Sequence, residues 1–340
     1  GDPRDLHSFP TRRSSDLSLP VYTGGRITAA IAAADAGVRA SQHERLRTEQ
    51  AVKLEVAEAW LNVLRARQAD AAARSHLAAL EAHAADVDQL ARQGLAARSD
   101  VLSVAVARAD AQQRVTQAGH AVTLAGSAYN RLLGRPFESA VELAEPPPPE
   151  GARPALERLV AEARERRPEM ALLGAHAEAT DREADLERAG TRPQVALSGA
   201  LVHEDNRYRV NQDLAQVAIG VQWEISDGGV RTARVDAATA RARAVRDRQA
   251  DAASLIELEV HREWLAVEDA SQRLDTARTA RAQADENLRV ARDRYRNGVG
   301  THTEVLDAEA LRSLSDSNHL NAHYDLHLAR YRLRKAVGDL

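Results

Sequence analysis

Between Arg26 and about Arg92 no proline interrupts the chain, and Val52, Val56, Ala59, Val63 and Ala66 recur at three- and four-residue steps. That spacing places side chains on one face of an α-helix. It predicts a single helix of roughly 65 residues, about 100 Å long at 1.5 Å per residue, which needs partners along its whole length. Gln93-Gly94-Leu95 ends it with a glycine near the C-cap. Ser99 is the expected N-cap of a second helix, with Asp100 in its first turn. This helix runs to Leu133 and stops at Gly134 with Pro136 behind it. The two form an antiparallel hairpin with unequal arms.

The same stations return at a constant offset of 204 residues. Gly24-Gly25, Leu54-Glu55-Val56, Trp60-Leu61, Gly94, Val101-Leu102 and Gly134 reappear as Gly228-Gly229, Leu258-Glu259-Val260, Trp264-Leu265, Gly298, Val305-Leu306 and Gly338. An offset that holds without a gap implies equal element lengths in both copies, which points to a tandem repeat of long helices. The second copy therefore predicts a long helix to about Arg296, the turn Asn297-Gly298-Val299-Gly300, and a closing helix from about Thr301 to Val337. Trp60 and Trp264, at equivalent positions, are expected to pack between helices.

Between the copies the pattern changes. Residues 135–151 hold Pro146 to Pro149 and read as an extended connector. Short helices follow over about Pro154 to Arg166 and Pro168 to Ala189, the latter with proline at its first position. Val217, Ile219, Val221, Trp223 and Ile225 then alternate with Gln216, Ala218, Gly220, Gln222 and Glu224, a period of two. Gln194 to Val202 alternates as well, and the polar link from His203 to Asp213 makes a hairpin of two strands of about 9 to 11 residues, enough to cross a bilayer when tilted. Leu17, Leu19 and Val21 read as the tail of another strand. Alternation alone favours a half-buried soluble hairpin; the long helices on either side tip the reading to a membrane strand pair, with Trp223 and Tyr208 as candidate interface aromatics. The segments expected are 1–17, 18–134 (first repeat), 135–190 (connector and short helices), 191–227 (β-hairpin) and 228–340 (second repeat).

Composition narrows the function. Of 340 residues 44% are apolar but only 3% aromatic, which suits thin helices packed through small side chains better than a compact core. The formal net charge of -4 comes from interspersed acids and bases, so no nucleic-acid footprint is expected. The chain has no cysteine, which excludes structural disulfides and thiolate sites within it. No run of about 18 apolar residues occurs, which excludes a transmembrane helix but not membrane strands. Phosphate loops, zinc-type His-Glu motifs and nucleophile elbows are lacking, so neither enzyme activity nor a cofactor is expected. Residues 1–17 resemble the conceptual translation of a sequencing-library adapter, the alternative being a short disordered basic arm; on the first reading the natural N-terminus, with any signal peptide or lipid-anchor cysteine, is missing.

Taken together, Tyr22-Thr23-Gly24-Gly25-Arg26, the block Leu54 to Leu61, the turn Gln93 to Leu102, Asn130-Arg131-Leu132-Leu133-Gly134, Arg167-Pro168-Glu169, and Tyr295 to Thr301 with Glu304 to Ala308 resemble the TolC-type outer-membrane efflux channels over residues 18–340. The resemblance implies a mainly α fold with a β-hairpin: long helical hairpins in tandem, forming an α-barrel, plus a share of a trimeric transmembrane β-barrel. It implies a homotrimer in outer-membrane lipid whose helices reach into the periplasm of a Gram-negative bacterium. Each intact protomer of the family gives four strands to a 12-stranded barrel, so a periplasmic helix, one strand and most of another are expected ahead of this chain's strand tail. The implied partners are a periplasmic adaptor protein and an inner-membrane pump, in efflux or type I secretion. The rival reading is a soluble coiled-coil scaffold or an adaptor-like helical hairpin.

The resemblance also assigns site residues. Glu304 and Asp307, and Asp100 in the first copy, are candidates for the pore constriction, where threefold symmetry would make carboxylate rings that favour cations. The plainer alternative is that they are helix-start acids answering the helix dipole. A closing link is implied among Asp100, Tyr295 and His302, the last departing from the family's arginine and making the link pH-sensitive. Gly94, Leu95, Arg98, Ser99, Gly298, Val299, Gly300 and Thr301 are candidates for the adaptor-docking tip. His319, His323 and His327, four residues apart on one helix face, fit solvated surface better than a metal site.

Overall fold

The computed structural model describes residues 11–147, 154–205 and 210–340. The elements are β1 (Thr11–Tyr22), α1 (Arg26–Arg92), α2 (Arg98–Leu132), α3 (Leu156–Arg166), α4 (Pro168–Ala189), β2 (Gln194–Asp205), β3 (Asp213–Gln222), α5 (Val230–Arg296) and α6 (His302–Val337). Helices α1 and α5 have 67 residues each, and their first and last residues are related by the repeat offset. So are the starts of α2 and α6. The chain divides into two units, Gly1–Arg45 with Pro168–Ala253 and Leu46–Arg167 with Ser254–Leu340.

In the first unit an antiparallel sheet runs in the order β1-β2-β3. Leu19 pairs with Leu197 and Leu197 with Ile219; Leu17 pairs with Gly199 and Gly199 with Val217. One face is thus apolar, while Ser18, Ser198 and Ala218, with Asp16, Ala200 and Gln216, line the other. Strand β1 is more than the expected tail: Thr11 to Asp16 pair with Asp205 to Ala200, because the edge of β2 offers them backbone groups that would otherwise stay unpaired. β2 reaches past the expected Val202 to Asp205, whereas β3 ends at Gln222, so Trp223 and Ile225, which continue the alternation in sequence, lie beyond the strand. Tyr208 and residues 1–10 lie outside the described residues. After β3, Asp227 accepts from the backbone N–H groups of Gly229 (3.1 Å) and Arg231 (2.8 Å), turning the chain into α5. Trp223 Nε1 donates to Thr191 O at 3.2 Å. Helix α4 packs Leu172 and Ala175 on Ala40 of α1, with Arg39–Glu178 and Arg246–Asp181 ion pairs at 2.5 Å around them.

The second unit is held by thin seams rather than one broad core. Leu61, Leu64 and Tyr324 are buried, with Trp60, Leu143, Leu320, Leu328 and Tyr331 against them. Val267, Ala270, Leu326 and Ala329 form a second seam. The repeat tryptophans do more than pack: Trp60 Nε1 donates to Ala144 O at 3.3 Å and Trp264 Nε1 to Pro154 O at 3.1 Å. They fasten the connector where it leaves the first hairpin and where it enters α3. Glu145 accepts from the Tyr324 hydroxyl at 3.1 Å, and Tyr324, buried and beside that carboxylate, has its pKa pushed up to about 12.

Gly338 ends α6 in the left-handed conformation, φ 86°, and a Cβ there would lie 3.1 Å from backbone atoms of Arg166 and Arg167. Its repeat mate Gly134 has φ 65° but open space around it. Gly134→Ala should cost about 1 kcal/mol for the conformation alone, and Gly338→Ala about 2 kcal/mol or more once the backbone contact is added. Unfolding followed by helical circular dichroism reads the difference.

Candidate functional site

The two inter-helix turns are built alike. Gly94 (φ 74°) and Gly298 (φ 69°) take the left-handed conformation that closes a helix C-terminus. Leu95 N–H donates to Leu90 O at 2.9 Å and Val299 N–H to Arg294 O at 3.0 Å, bonds at repeat-equivalent positions. Both turns present an apolar residue to solvent, Leu95 at 73% and Val299 at 67% exposure. They diverge at the next helix start. Thr301 caps α6, its hydroxyl accepting from Glu304 N–H at 3.2 Å. In the first copy the N-cap is Ala97, without a side-chain bond, and not Ser99. Ser99 lies inside the first turn and donates to Asp100 at 3.4 Å, while Asp100 N–H bonds Ala97 O, the first bond of the helix. Arg98 and Ser99 are exposed, and Gly300 sits where a Cβ would meet Arg294 and Tyr295 within 3.0 Å.

Glu304 and Asp307 are exposed on one face of α6, lining a shallow groove of about 350 Å³ with Asn287, Val290, Arg294 and Leu311. Glu304 also stands 3.6 Å from Arg294, so part of its charge is answered locally. Asp307 has no ion pair among the described residues.

Tyr295 and His302 are brought together, and a residue that sequence reasoning missed joins them. His83 of α1 places Nε2 3.1 Å from His302 Nδ1. The two rings stack with centroids 5.0 Å apart and planes 11° from parallel, and the Tyr295 ring stands edge-on to His83 at 5.6 Å. Both histidines are 5% exposed. The Tyr295 hydroxyl and His302 Nε2 are buried without a hydrogen-bond partner among the described residues. Burial pushes the Tyr295 pKa up, helped by the charges of Asp100 and Asp86. Burial lowers His302, with Asp100 opposing, and takes His83 down to about 4, the charge of His302 adding to it. Asp100 thus faces this cluster electrostatically, without a direct hydrogen bond to it among the described residues.

Beneath the cluster the carboxylate of Glu309, 1% exposed, accepts from Arg292 and lies 3.7 Å from His76. Burial alone would raise its pKa; His76 and Arg292 outweigh it and hold the group below the ordinary carboxylate value. Asp86 and Arg296, 3.4 Å apart, link α1 to α5 at the same end. Of the row His319, His323 and His327, the last two touch edge-on at 5.0 Å, and no group of three metal-ligating side chains occurs among the described residues.

The profile of the outer membrane efflux protein family matches residues 159–339. A membrane protein from Pseudomonas aeruginosa has a similar structure, TM-score 0.83 at 19% identity, over 97% of this chain and 84% of that one. The outer membrane protein VceC of Vibrio cholerae gives 0.82 at 16% identity over 97% and 87%. The open-state outer membrane channel MtrE of Neisseria gonorrhoeae gives 0.79 at 18% identity over 97% and 80%. At such identities the likeness concerns the fold. No curated protein matches the sequence.

Proposed function

The chain belongs to the outer membrane efflux protein family, and from that premise we propose that it is a passive conduit, without catalysis or cofactor, carrying cargo through periplasm and outer membrane. Three copies assemble into one channel. The helical turns dock on a periplasmic adaptor protein, which connects to an inner-membrane pump.

The observation that carries this reading is the exposure of the wrong face for a soluble sheet. Leu17, Leu19, Leu201, Val217 and Ile219 are 57–79% exposed on one side of the three strands. In water such a patch would be driven against other apolar surface; in lipid it is the stable arrangement. Strands β1 and β3 each keep a free edge in the described sheet, and a membrane strand requires both edges paired. Neighbouring strands outside the described sheet supply those edges. Apolar side chains left exposed on α2 (Leu102, Val106, Leu124) are consistent with helix partners from another copy as well.

At the turns, Asp307 is the carboxylate best placed to act on ions, since Glu304 is partly neutralised by Arg294. In planar bilayers Asp307→Asn should lower the potassium-to-chloride permeability ratio several-fold, and Glu304→Gln should lower it less. An unchanged ratio in Asp307→Asn removes that residue from the pore. A protein that leaves the membrane without detergent and runs as a monomer would favour the soluble scaffold instead.

A further inference from the structure

We propose that His83 and His302 form a clasp between the tips of the two helical hairpins, held closed by an imidazole–imidazole hydrogen bond and released by acid. For its consequence, opening of a conduit, the proposal rests on the function just described; the clasp itself does not.

The geometry is specific. His83 belongs to α1 in the first hairpin and His302 is the first residue of α6 in the second, yet their ring nitrogens lie 3.1 Å apart, both side chains buried. At that distance one nitrogen carries a proton and the other offers a lone pair. The first added proton goes to the outer nitrogen of the donor ring, and the bridge becomes a charge-assisted imidazolium–imidazole bond. A second one turns both nitrogens into donors facing each other, and the contact must break. The pair therefore titrates as a unit.

Every helix packed around the pair presents charged groups to it, and most of them are already engaged. On α1, Asp86 is bound to Arg296. On α5, Arg292 is bound to Glu309 of α6, and Tyr295 lies edge-on to His83. On α2, Asp100 raises the proton affinity of both His302 and Tyr295 from a distance. No carboxylate among the described residues contacts either imidazole of the pair to neutralise an imidazolium. Burial thus dominates, and both histidines sit below the free value, His83 at about 4.

The sign follows. A histidine whose pKa is depressed in the closed state and ordinary when solvated favours closure above about pH 6.5, and that preference is lost as pH falls toward about 4. The open-to-closed ratio should rise on the order of ten-fold or more between pH 7.5 and 5.

The chain has no cysteine, so spin labels on Leu95→Cys and Val299→Cys, in assemblies diluted with unlabelled copies, report the separation of the two turns within one copy. In the detergent-solubilised protein the label distance should widen reversibly at pH 5. In the His83→Gln/His302→Asn double variant the amides stand in for the bonded nitrogens without titrating, and the distance should stay at its pH 7.5 value. His261→Asn, an exposed histidine of α5, should behave as wild type. No widening in wild type, or equal widening in a double variant of native helicity, would overturn the clasp. A clasp that opens in a protein that conducts no ions would refute the proposed function and leave the clasp standing.

Discussion

Glu259→Ala is expected to destabilise the second unit by about 2–3 kcal/mol, while Glu55→Ala, its counterpart one repeat earlier, shifts the unfolding midpoint little or not at all. The two glutamates occupy the same station of the Leu-Glu-Val motif. Glu55 meets Arg131 at 3.5 Å with both side chains more than half exposed. Glu259 meets the equivalent residue, Lys335, at 3.2 Å, and also Arg167, whose side chain is only 4% exposed. Burial by itself would raise the pKa of Glu259; Arg167 and Lys335 together bring it below the ordinary carboxylate value. That stability is present above the free carboxylate pKa and is lost as pH falls below about 4. Removing the carboxylate takes a charged partner from a guanidinium that is almost fully buried, a larger penalty than breaking a solvated pair. Chemical denaturation followed by helical circular dichroism separates the two variants; equal midpoints would mean that Arg167 draws its compensation elsewhere.

Ile219→Arg is expected to abolish assembly in the membrane, where Gln216→Arg is tolerated. Both residues lie on β3 and both are exposed in the protomer, so neither change disturbs a packed core. They differ only in the face they occupy. Ile219 stands in register with Leu197 and Leu19 on the apolar side, and Gln216 with Ala200 and Asp16 on the polar side. A cation near the middle of a lipid-facing strand costs about 2–4 kcal/mol, against little toward a polar lumen, and three copies multiply the difference. Heat-resistant trimer recovered from the membrane fraction is the readout. Equal recovery of the two variants would mean that neither face meets lipid.

Much of the helical framework was legible from periodicity and the repeat. With proline absent and the offset gapless, the starts and ends of α1 and α5 follow from each other. The same register could have corrected the one misplaced cap, since Ala97 is the counterpart of Thr301, not Ser99. Strand β1 was only partly legible: Thr11 to Asp16 carry no apolar alternation, and they pair because β2 offers an open edge. His83 carried no signal at all. Its repeat counterpart is Asn287, it sits in an ordinary helical stretch, and only the packing of one hairpin against the other brings it to His302. Tyr295, His302 and Asp100 were singled out by the family resemblance, and they lie beside the duplicated turns. Clusters that depend on contacts between the two repeats are invisible to a reading made within each.

The central claim is that copies of the protein to which this chain belongs close a membrane-spanning channel. The most direct measurement is single-channel recording from the purified full-length protein, including the strands expected ahead of this chain, in planar lipid bilayers. The account predicts stepwise, long-lived conductance increments with a preference for cations that weakens in Asp307→Asn. A protein that forms trimers in detergent yet yields no conductance at neutral or acidic pH would contradict it.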